Sequence, residues 1–220
     1  DNFTNMILAS EEHLVRYRKQ THGEGYLRKF FNTIKGAAGS ALARVFVTGV
    51  SPVTMDDLTS GFNIGTNYSL SPCFNELTGF TEEEVREMLE YYASVLPFNH
   101  TVDELIEVMK PWYDNYCFAE ECLKSDVRVF NCDMVLYYLR NYMDYGCAPK
   151  QMIDPNTKTD YNKMKKLLQL DILDGDRKGV INKIAEEGEI VTSLYQTFSA
   201  IEMTKPEVFP SLLFYYGMLT

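Results

Sequence analysis

The sequence predicts a mainly α-helical protein with a small α/β part. Three observations predict it: two threonine-led helix starts in the middle of the chain, apolar residues at helical spacing through much of the sequence, and one short buried strand at residues 44–48. One strand cannot form a sheet alone. We therefore expect its partner strands in missing sequence, in later segments or in another copy.

Two helices are predicted ahead of this strand, over residues 9–20 and 24–35. In the second, apolar residues recur at i, i+3, i+4 and i+7, which predicts one stripe facing a core. The members of that stripe are Leu27, Phe30, Phe31 and Ile34. The glycine-rich patch that follows predicts a helix end, with Gly36 at or near a left-handed cap.

The strand is predicted from the β-branched and aromatic run Val45–Val47, which Thr48 and Gly49 interrupt. In open parallel sheets, ligands bind beyond the carboxyl ends of the strands. Thr48, Ser51 and Thr54 would then lie near a ligand edge. The residues by themselves favour a plainer interpretation, a hydroxyl-rich turn that caps the next segment.

Capping boxes predict the next two helices. Thr81 is followed three residues later by Glu84, and Thr101 by Glu104, so each threonine can cap a helix whose glutamate reaches back. The predicted buried stripes are Val85, Met88, Leu89 and Tyr92 in the first helix, and Val102, Leu105, Ile106 and Met109 in the second. We expect Pro111 to end the second helix at about Lys110.

The rest of the chain is predicted to be mostly helical after an aromatic turn at residues 112–118. Val135, Tyr138, Leu139 and Tyr142 share one face of the next predicted helix. Later helices are predicted at 159–173, 177–187 and 206–217. Residues 189–202 are ambiguous, and we interpret them as a short strand and a turn.

Composition excludes several classes of protein. The 220 residues carry a net charge of −10, which opposes broad binding to a phosphate backbone. No apolar run is long enough for a membrane span and no signal peptide is evident, so we expect a cytoplasmic protein without membrane partners. The five cysteines and three histidines lack zinc-site spacing, so no metal site is predicted.

Three blocks of sequence carry a resemblance to a known family. They are TGVSPVTMDDLTSGFNI at residues 48–64, LTGFTEEEV at 77–85 and KPWYDNYCF at 110–118. In this order and at about this spacing they resemble the prokaryotic AAA-ATPase-like family, whose members usually carry a PD-(D/E)XK nuclease domain downstream. The opening Asp1-Asn2-Phe3 also resembles the residues just after that family's Walker B strand.

The resemblance implies that this chain is a fragment beginning just after Walker B. Residues 1–70 would be the C-terminal part of the ATPase core, and residues 71–220 a helical lid or adaptor. No GxxxxGK[ST] motif occurs in the sequence. ATP and Mg²⁺ are therefore expected to bind in the parent protein, with none binding tightly to this chain, which is expected to be inactive alone. Its expected partners are the P-loop half and the nuclease-like domain of the same protein.

The same resemblance implies roles for particular residues. Thr48 would occupy the sensor-1 place near the γ-phosphate, and Asp1 would be the last acidic residue of the Walker B motif, so these two are the candidate catalytic residues. Ser51, Ser60 and Asn63 would lie close to the nucleotide.

A structural motif is implied further along the chain. Tyr113, Asp114 and Tyr116 match the family's Tyr-Asp-Gly-Tyr block, with Asn115 in place of its glycine. Asn tolerates the left-handed conformation better than most residues, so the turn can survive the change. We expect a tight interdomain corner in which Asp114 bonds backbone amides.

A different function is also compatible with the residues. The chain could be a non-enzymatic helical interaction or regulatory domain, with a structural strand and an aromatic surface that binds a partner. The upstream reading frame separates the two, because a P-loop lysine and an apolar run ending in acidic residues would support the ATPase.

Overall fold

The computed structural model describes residues 11–49, 64–158, 176–199 and 202–219. These residues are mainly helical, as predicted. They divide into two compact units, which are described separately. The helical unit comprises residues 67–158, and the second unit comprises the described residues among 1–66 and 159–219.

The described elements are short helices and one small sheet. The α-helices are α1 (Glu11–Thr21), α2 (Tyr26–Ala37), α3 (Glu82–Val95), α4 (Val102–Tyr113), α5 (Glu120–Lys124), α6 (Cys132–Tyr145), α7 (Arg177–Glu187) and α8 (Phe209–Tyr215). Strands β1 (Asp114–Tyr116) and β2 (Val129–Phe130) pair antiparallel. Single 3₁₀ turns cover Pro72–Phe74, Pro155–Lys158, Glu202–Thr204 and Pro206–Val208. Among these described helices, none has the length and apolar character needed to cross a membrane.

Both predicted capping boxes are confirmed in the helical unit. The Thr81 hydroxyl accepts from the Glu84 amide at 3.2 Å, and the Glu84 carboxylate accepts from the Thr81 amide at 2.9 Å. At α4 the matching distances, between Thr101 and Glu104, are 3.3 and 2.8 Å. Each pair satisfies two amides that the first turn of a helix leaves without intrahelical partners.

We expect Thr101→Ala to destabilise the helical unit by about 1 kcal/mol, because it removes the hydroxyl that caps α4. Urea unfolding followed by the fluorescence of Trp112, the only tryptophan in the sequence, reports on this unit. Thr78→Ala is the matched control, since Thr78 is exposed and precedes α3 without capping it. A capping variant as stable as this control would contradict the prediction.

The core of the helical unit is formed by the predicted faces of α3, α4 and α6, together with Phe130 of β2. Its buried members are Val85, Leu89, Leu105, Ile106, Met109, Tyr113, Phe130, Val135, Tyr138, Leu139 and Tyr142. Met88, Tyr92 and Val102, also predicted for these stripes, pack against it while partly buried. Helical periodicity therefore located the core correctly.

The predicted end of α4 at Lys110 is wrong, because the helix continues through Pro111 to Tyr113. A proline inside a helix loses one backbone hydrogen bond and crowds the preceding turn. The buried Tyr113 opposes this cost, since its ring lies in the core and its hydroxyl donates to the Met152 carbonyl at 2.6 Å. Tertiary packing thus holds the last turn of the helix.

The predicted strand at residues 44–48 is also wrong. Arg44–Gly49 have no regular secondary structure, and Phe46 is 79% exposed. No described residue pairs with this segment in a sheet, so its backbone groups have no ladder to stabilise an extended strand. The short strand expected within 189–202 is likewise absent from residues 189–199, which form a loop.

The second unit contains α1, α2, α7 and α8. Its core comprises Tyr17, Phe198, Met203, Val208, Phe209, Leu212 and Leu213. The predicted helix at 177–187 is confirmed, whereas 206–217 forms a 3₁₀ turn followed by the shorter α8. The predicted helix at 159–173 lies outside the described residues.

Helix α2 departs from its prediction in two ways. None of its residues is fully buried, and Phe30, assigned to the core stripe, is 49% exposed. Gly36 lies inside the helix rather than at its cap, and Gly39, with φ +82°, takes the left-handed conformation instead. The predicted apolar stripe of α2 is therefore partly exposed and is not fully buried against the described residues.

Candidate functional site

Of the residues predicted to lie close to the nucleotide, the structure describes Thr48. Thr48 is exposed within residues 44–49, which have no regular secondary structure, so its hydroxyl is accessible to a ligand. Asp1, Ser51, Ser60 and Asn63 lie outside the described residues. Their placement near a nucleotide stays a prediction.

Tyr113, Asp114 and Tyr116 lie where α4 meets β1, inside the helical unit and not at the interdomain position predicted for this corner. Asp114 pairs with Phe130 and Tyr116 with Val129, with a bulge between the two pairs. The Asn131 amide donates to the Tyr113 carbonyl at 2.9 Å. The structure therefore brings Tyr113, Asp114 and Tyr116 together at one tight junction, although the sequence pattern had predicted a turn there and not a sheet.

Tyr113 anchors this corner in the core. Its ring meets Tyr138 edge to face, with centroids 6.3 Å apart. Burial raises the pKa of the Tyr113 phenol well above its usual range, so the hydroxyl stays protonated and donates to Met152. Burial likewise raises the pKa of Tyr138 to about 12. These phenols pack and donate hydrogen bonds, and they are unsuited to proton transfer near neutral pH.

Asp114 does not bond backbone amides, contrary to the prediction. Its carboxylate is half-buried, and burial raises its pKa, with Lys110 and Arg128 opposing that rise through their positive charges. The nearby amides of Phe118 and Ala119 donate to another residue, Asn75. The acceptor role predicted for Asp114 therefore belongs to a neutral side chain.

Asn115 does not adopt the left-handed conformation to which a glycine at this position would be suited. It belongs to β1, and among the described non-glycine residues only Asp126 has a positive φ. Its side-chain amide donates to the Pro111 carbonyl at 3.4 Å. The replacement of glycine is therefore accommodated without the backbone strain that a positive φ would bring.

A chain of ion pairs runs beside the corner and connects α3 with α4. Glu82 accepts from Arg86 at 3.1 Å and lies 3.0 Å from Lys110, while Arg86 also contacts Asp103 and Lys110 contacts Glu107. The hydrogen bond from Lys110 lowers the pKa of Glu82. Each exposed ion pair of this kind contributes little to the free energy of unfolding. The pairs therefore orient the corner more than they stabilise it.

Asn75 is the structural residue that the sequence reasoning missed. Its side chain is 1% exposed, and its oxygen accepts from the amides of Phe118 and Ala119 at 2.8 and 3.2 Å. Its nitrogen donates to the Val127 carbonyl at 3.3 Å. Periodicity reports apolar faces and gives no signal for a lone polar residue in a turn, so nothing in the pattern identified it.

Two buried cysteines lie beside Asn75. Cys117 and Cys122 are reduced and buried with Ala119, and burial raises the pKa of Cys122. A buried thiol of raised pKa is a poor nucleophile. Within the described ranges, no group of three or more His, Cys, Asp or Glu side chains is arranged to hold a metal ion.

One comparison with known proteins gives a match. Residues 1–59 match the model of the AAA-ATPase-like family, described as a predicted AAA-ATPase. No curated protein and no solved structure gives a significant match. The matched segment contains Asp1, Thr48 and Ser51 and ends just before Ser60, whereas the corner at Tyr113 lies well beyond it.

Proposed function

We propose that this chain belongs to the AAA-ATPase-like family, whose model matches residues 1–59, and that it works as part of an ATP-hydrolysing protein. The observation that carries the proposal is the family match itself, because it includes Asp1 and Thr48, the two residues to which the resemblance assigns catalytic roles. The accessible hydroxyl of Thr48 is compatible with such a role.

Thr48 orients the attacking water near the γ-phosphate in this proposal. A hydroxyl can donate to a phosphate oxygen or to water, and phosphoryl transfer depends mainly on positioning and electrostatic stabilisation. Asp1 supplies a carboxylate beside the Walker B strand, suited to Mg²⁺, which would neutralise charge on the phosphates. Ser51, Ser60 and Asn63 line the nucleotide side.

The phosphate cradle comes from outside these 220 residues, because the sequence contains no GxxxxGK[ST] motif. The P-loop half and a downstream nuclease-like domain of the same cytoplasmic protein are thus the proposed partners. Residues 71–220 act as the lid or adaptor that transmits the nucleotide state to that domain, and they include nearly all of the helical unit. Its compact three-helix core supports movement as one body.

The test is steady-state ATP hydrolysis by the longer protein, with and without Thr48→Ala. We expect at least a tenfold loss of kcat, on the order of the 1.4 kcal/mol that such a factor represents, because the variant removes a positioning hydroxyl. Thr48→Ser keeps the hydroxyl and should retain most of the activity. The 220-residue chain alone should not hydrolyse ATP.

Thr66→Ala is the matched control, since Thr66 is also exposed but lies outside the matched segment. It should hydrolyse ATP at the unsubstituted rate. If Thr48→Ala and Thr66→Ala were equally active, the role of Thr48 would be wrong. If the folded longer protein bound no nucleotide, the ATPase proposal itself would be wrong.

A second candidate function, a non-enzymatic interaction domain, is favoured by one observation. The helical unit exposes an apolar groove with acidic residues among its lining side chains, a combination suited to binding a protein partner. Absence of nucleotide binding by the longer protein would favour this alternative.

A further inference from the structure

The acidity of this chain is concentrated in the helical unit. Residues 67–158 contain sixteen acidic and seven basic side chains, whereas residues 1–66 contain six acidic and seven basic ones. Nearly all of the net charge of −10 therefore belongs to one unit. Such a field attracts basic partners and speeds their association.

An open groove of about 440 Å³ lies on the surface of this acidic unit. It is lined by Phe80, Glu84, Glu87, Met88, Tyr91, Tyr92 and Leu136. Tyr91 is 66% exposed and Leu136 is 50% exposed, so large apolar surfaces face solvent there. Aromatic and methionine side chains beside carboxylates suit the apolar face of a basic amphipathic helix.

Helix α2 has the complementary chemistry. Its sequence YLRKFFNTIKGA contains three basic residues and no acidic one. Tyr26 and Phe30 are 71% and 49% exposed and are four residues apart, which places them on the same face. Lys29 forms an ion pair with Glu24 at 2.7 Å. Because both side chains are well exposed, Lys29 can leave Glu24 for another carboxylate at little cost in free energy.

We propose that α2 of one copy of this chain docks into the groove of a second copy. Tyr26 and Phe30 would cover the apolar residues of the groove, while Lys29, which flanks the same face of α2, would meet the Glu87 carboxylate in its lining. This self-association is distinct from the proposed ATP chemistry and requires no nucleotide. Its electrostatic part weakens with salt.

Sedimentation velocity of the full chain over a range of concentrations tests the proposal. We expect self-association that Glu87→Lys weakens at least tenfold, because Glu87 lines the groove. Glu90→Lys makes the same charge change on an exposed residue of α3 outside the groove lining, and it should weaken association much less. Circular dichroism establishes that both variants are folded.

A second pair of variants tests the apolar contact. Tyr91→Ala should weaken association at least tenfold, whereas Tyr145→Ala, which truncates another exposed tyrosine outside the groove, should leave it unchanged. On the other side of the contact, Lys29→Glu should weaken association. Combining it with Glu87→Lys should restore part of the loss, since charge complementarity returns with reversed sign.

A labelled peptide of residues 24–38, titrated into the full chain and followed by fluorescence anisotropy, reports on α2 as the occupant. We expect saturable binding that Glu87→Lys weakens and Glu90→Lys retains. A chain that stays monomeric at every concentration would overturn the proposal. So would self-association that responds equally to Glu87→Lys and Glu90→Lys, or a peptide that does not bind.

Discussion

Asn75→Ala is expected to destabilise the helical unit by about 3 kcal/mol. Each buried polar group left without a hydrogen-bond partner costs about 1–3 kcal/mol, and the substitution leaves several backbone groups in that state. The variant removes the acceptor for the amides of Phe118 and Ala119 and the donor to the Val127 carbonyl. The small cavity left by the side chain adds to the loss. The measurement is urea unfolding followed by Trp112 fluorescence.

The matched control for this variant is Asn99→Ala, which removes the same side chain from an exposed position in the same unit. Surface substitutions of this kind usually change stability by less than about 0.5 kcal/mol. Equal urea midpoints for the two variants would show that Asn75 does not hold the segment after β1 in place.

Gly79→Ala is expected to cost about 3 kcal/mol, at the upper end of the usual range for overpacking a core. A β-carbon there would overlap the Val129 side chain and lie 3.1 Å from the Phe130 carbonyl oxygen. Both neighbours are fully buried, and Phe80 exchanges two backbone hydrogen bonds with Phe130 at 3.0 and 2.7 Å. The segment before α3 would have to move away from β2. Urea unfolding followed by Trp112 fluorescence measures the loss.

A double-mutant cycle identifies the cause of this loss. Val129→Ala removes the Cγ2 methyl group that the new β-carbon would overlap but keeps the Val129 β-carbon, so it relieves part of the overlap. The double variant should therefore be more stable than the sum of the two single losses predicts. Strict additivity would contradict the steric explanation. It would show instead that Gly79 matters through the backbone alone.

Local signals in the sequence predicted the helical unit well, because capping and amphipathic spacing act over one or two helical turns. The caps at Thr81 and Thr101 and the buried helix face containing Tyr138 could be predicted from neighbouring residues alone. The strand at 44–48 was predicted wrongly for the opposite reason. A strand depends on partners elsewhere, and the run Val45–Val47 has none among the described residues.

Features fixed by tertiary packing were not predictable from the pattern. The continuation of α4 through Pro111 depends on the burial of Tyr113, and β1 pairs with β2 although neither has an extended alternating pattern. The groove was missed for a related reason. Periodicity does not report which apolar residues, such as Tyr91 and Leu136, remain exposed after packing.

The candidate site was predicted in part. The resemblance to the AAA-ATPase-like family is supported by the match to residues 1–59, whereas the predicted interdomain corner lies within one unit. The prediction that Asp114 accepts hydrogen bonds from backbone amides was wrong. Burial decides whether a carboxylate or a neutral amide side chain is the acceptor at such a position. Asn75 is buried there, and a charge in its place would be costly.

The measurement that tests the ATPase account most directly is Mg·ATP binding by isothermal titration calorimetry, on the longer protein and on the 220-residue chain. If the proposed ATPase function is correct, the longer protein binds Mg·ATP saturably, and replacing its P-loop lysine abolishes this binding. The 220-residue chain alone does not bind Mg·ATP tightly. Absence of binding by the folded longer protein, or tight binding by the chain alone, would contradict the proposed function.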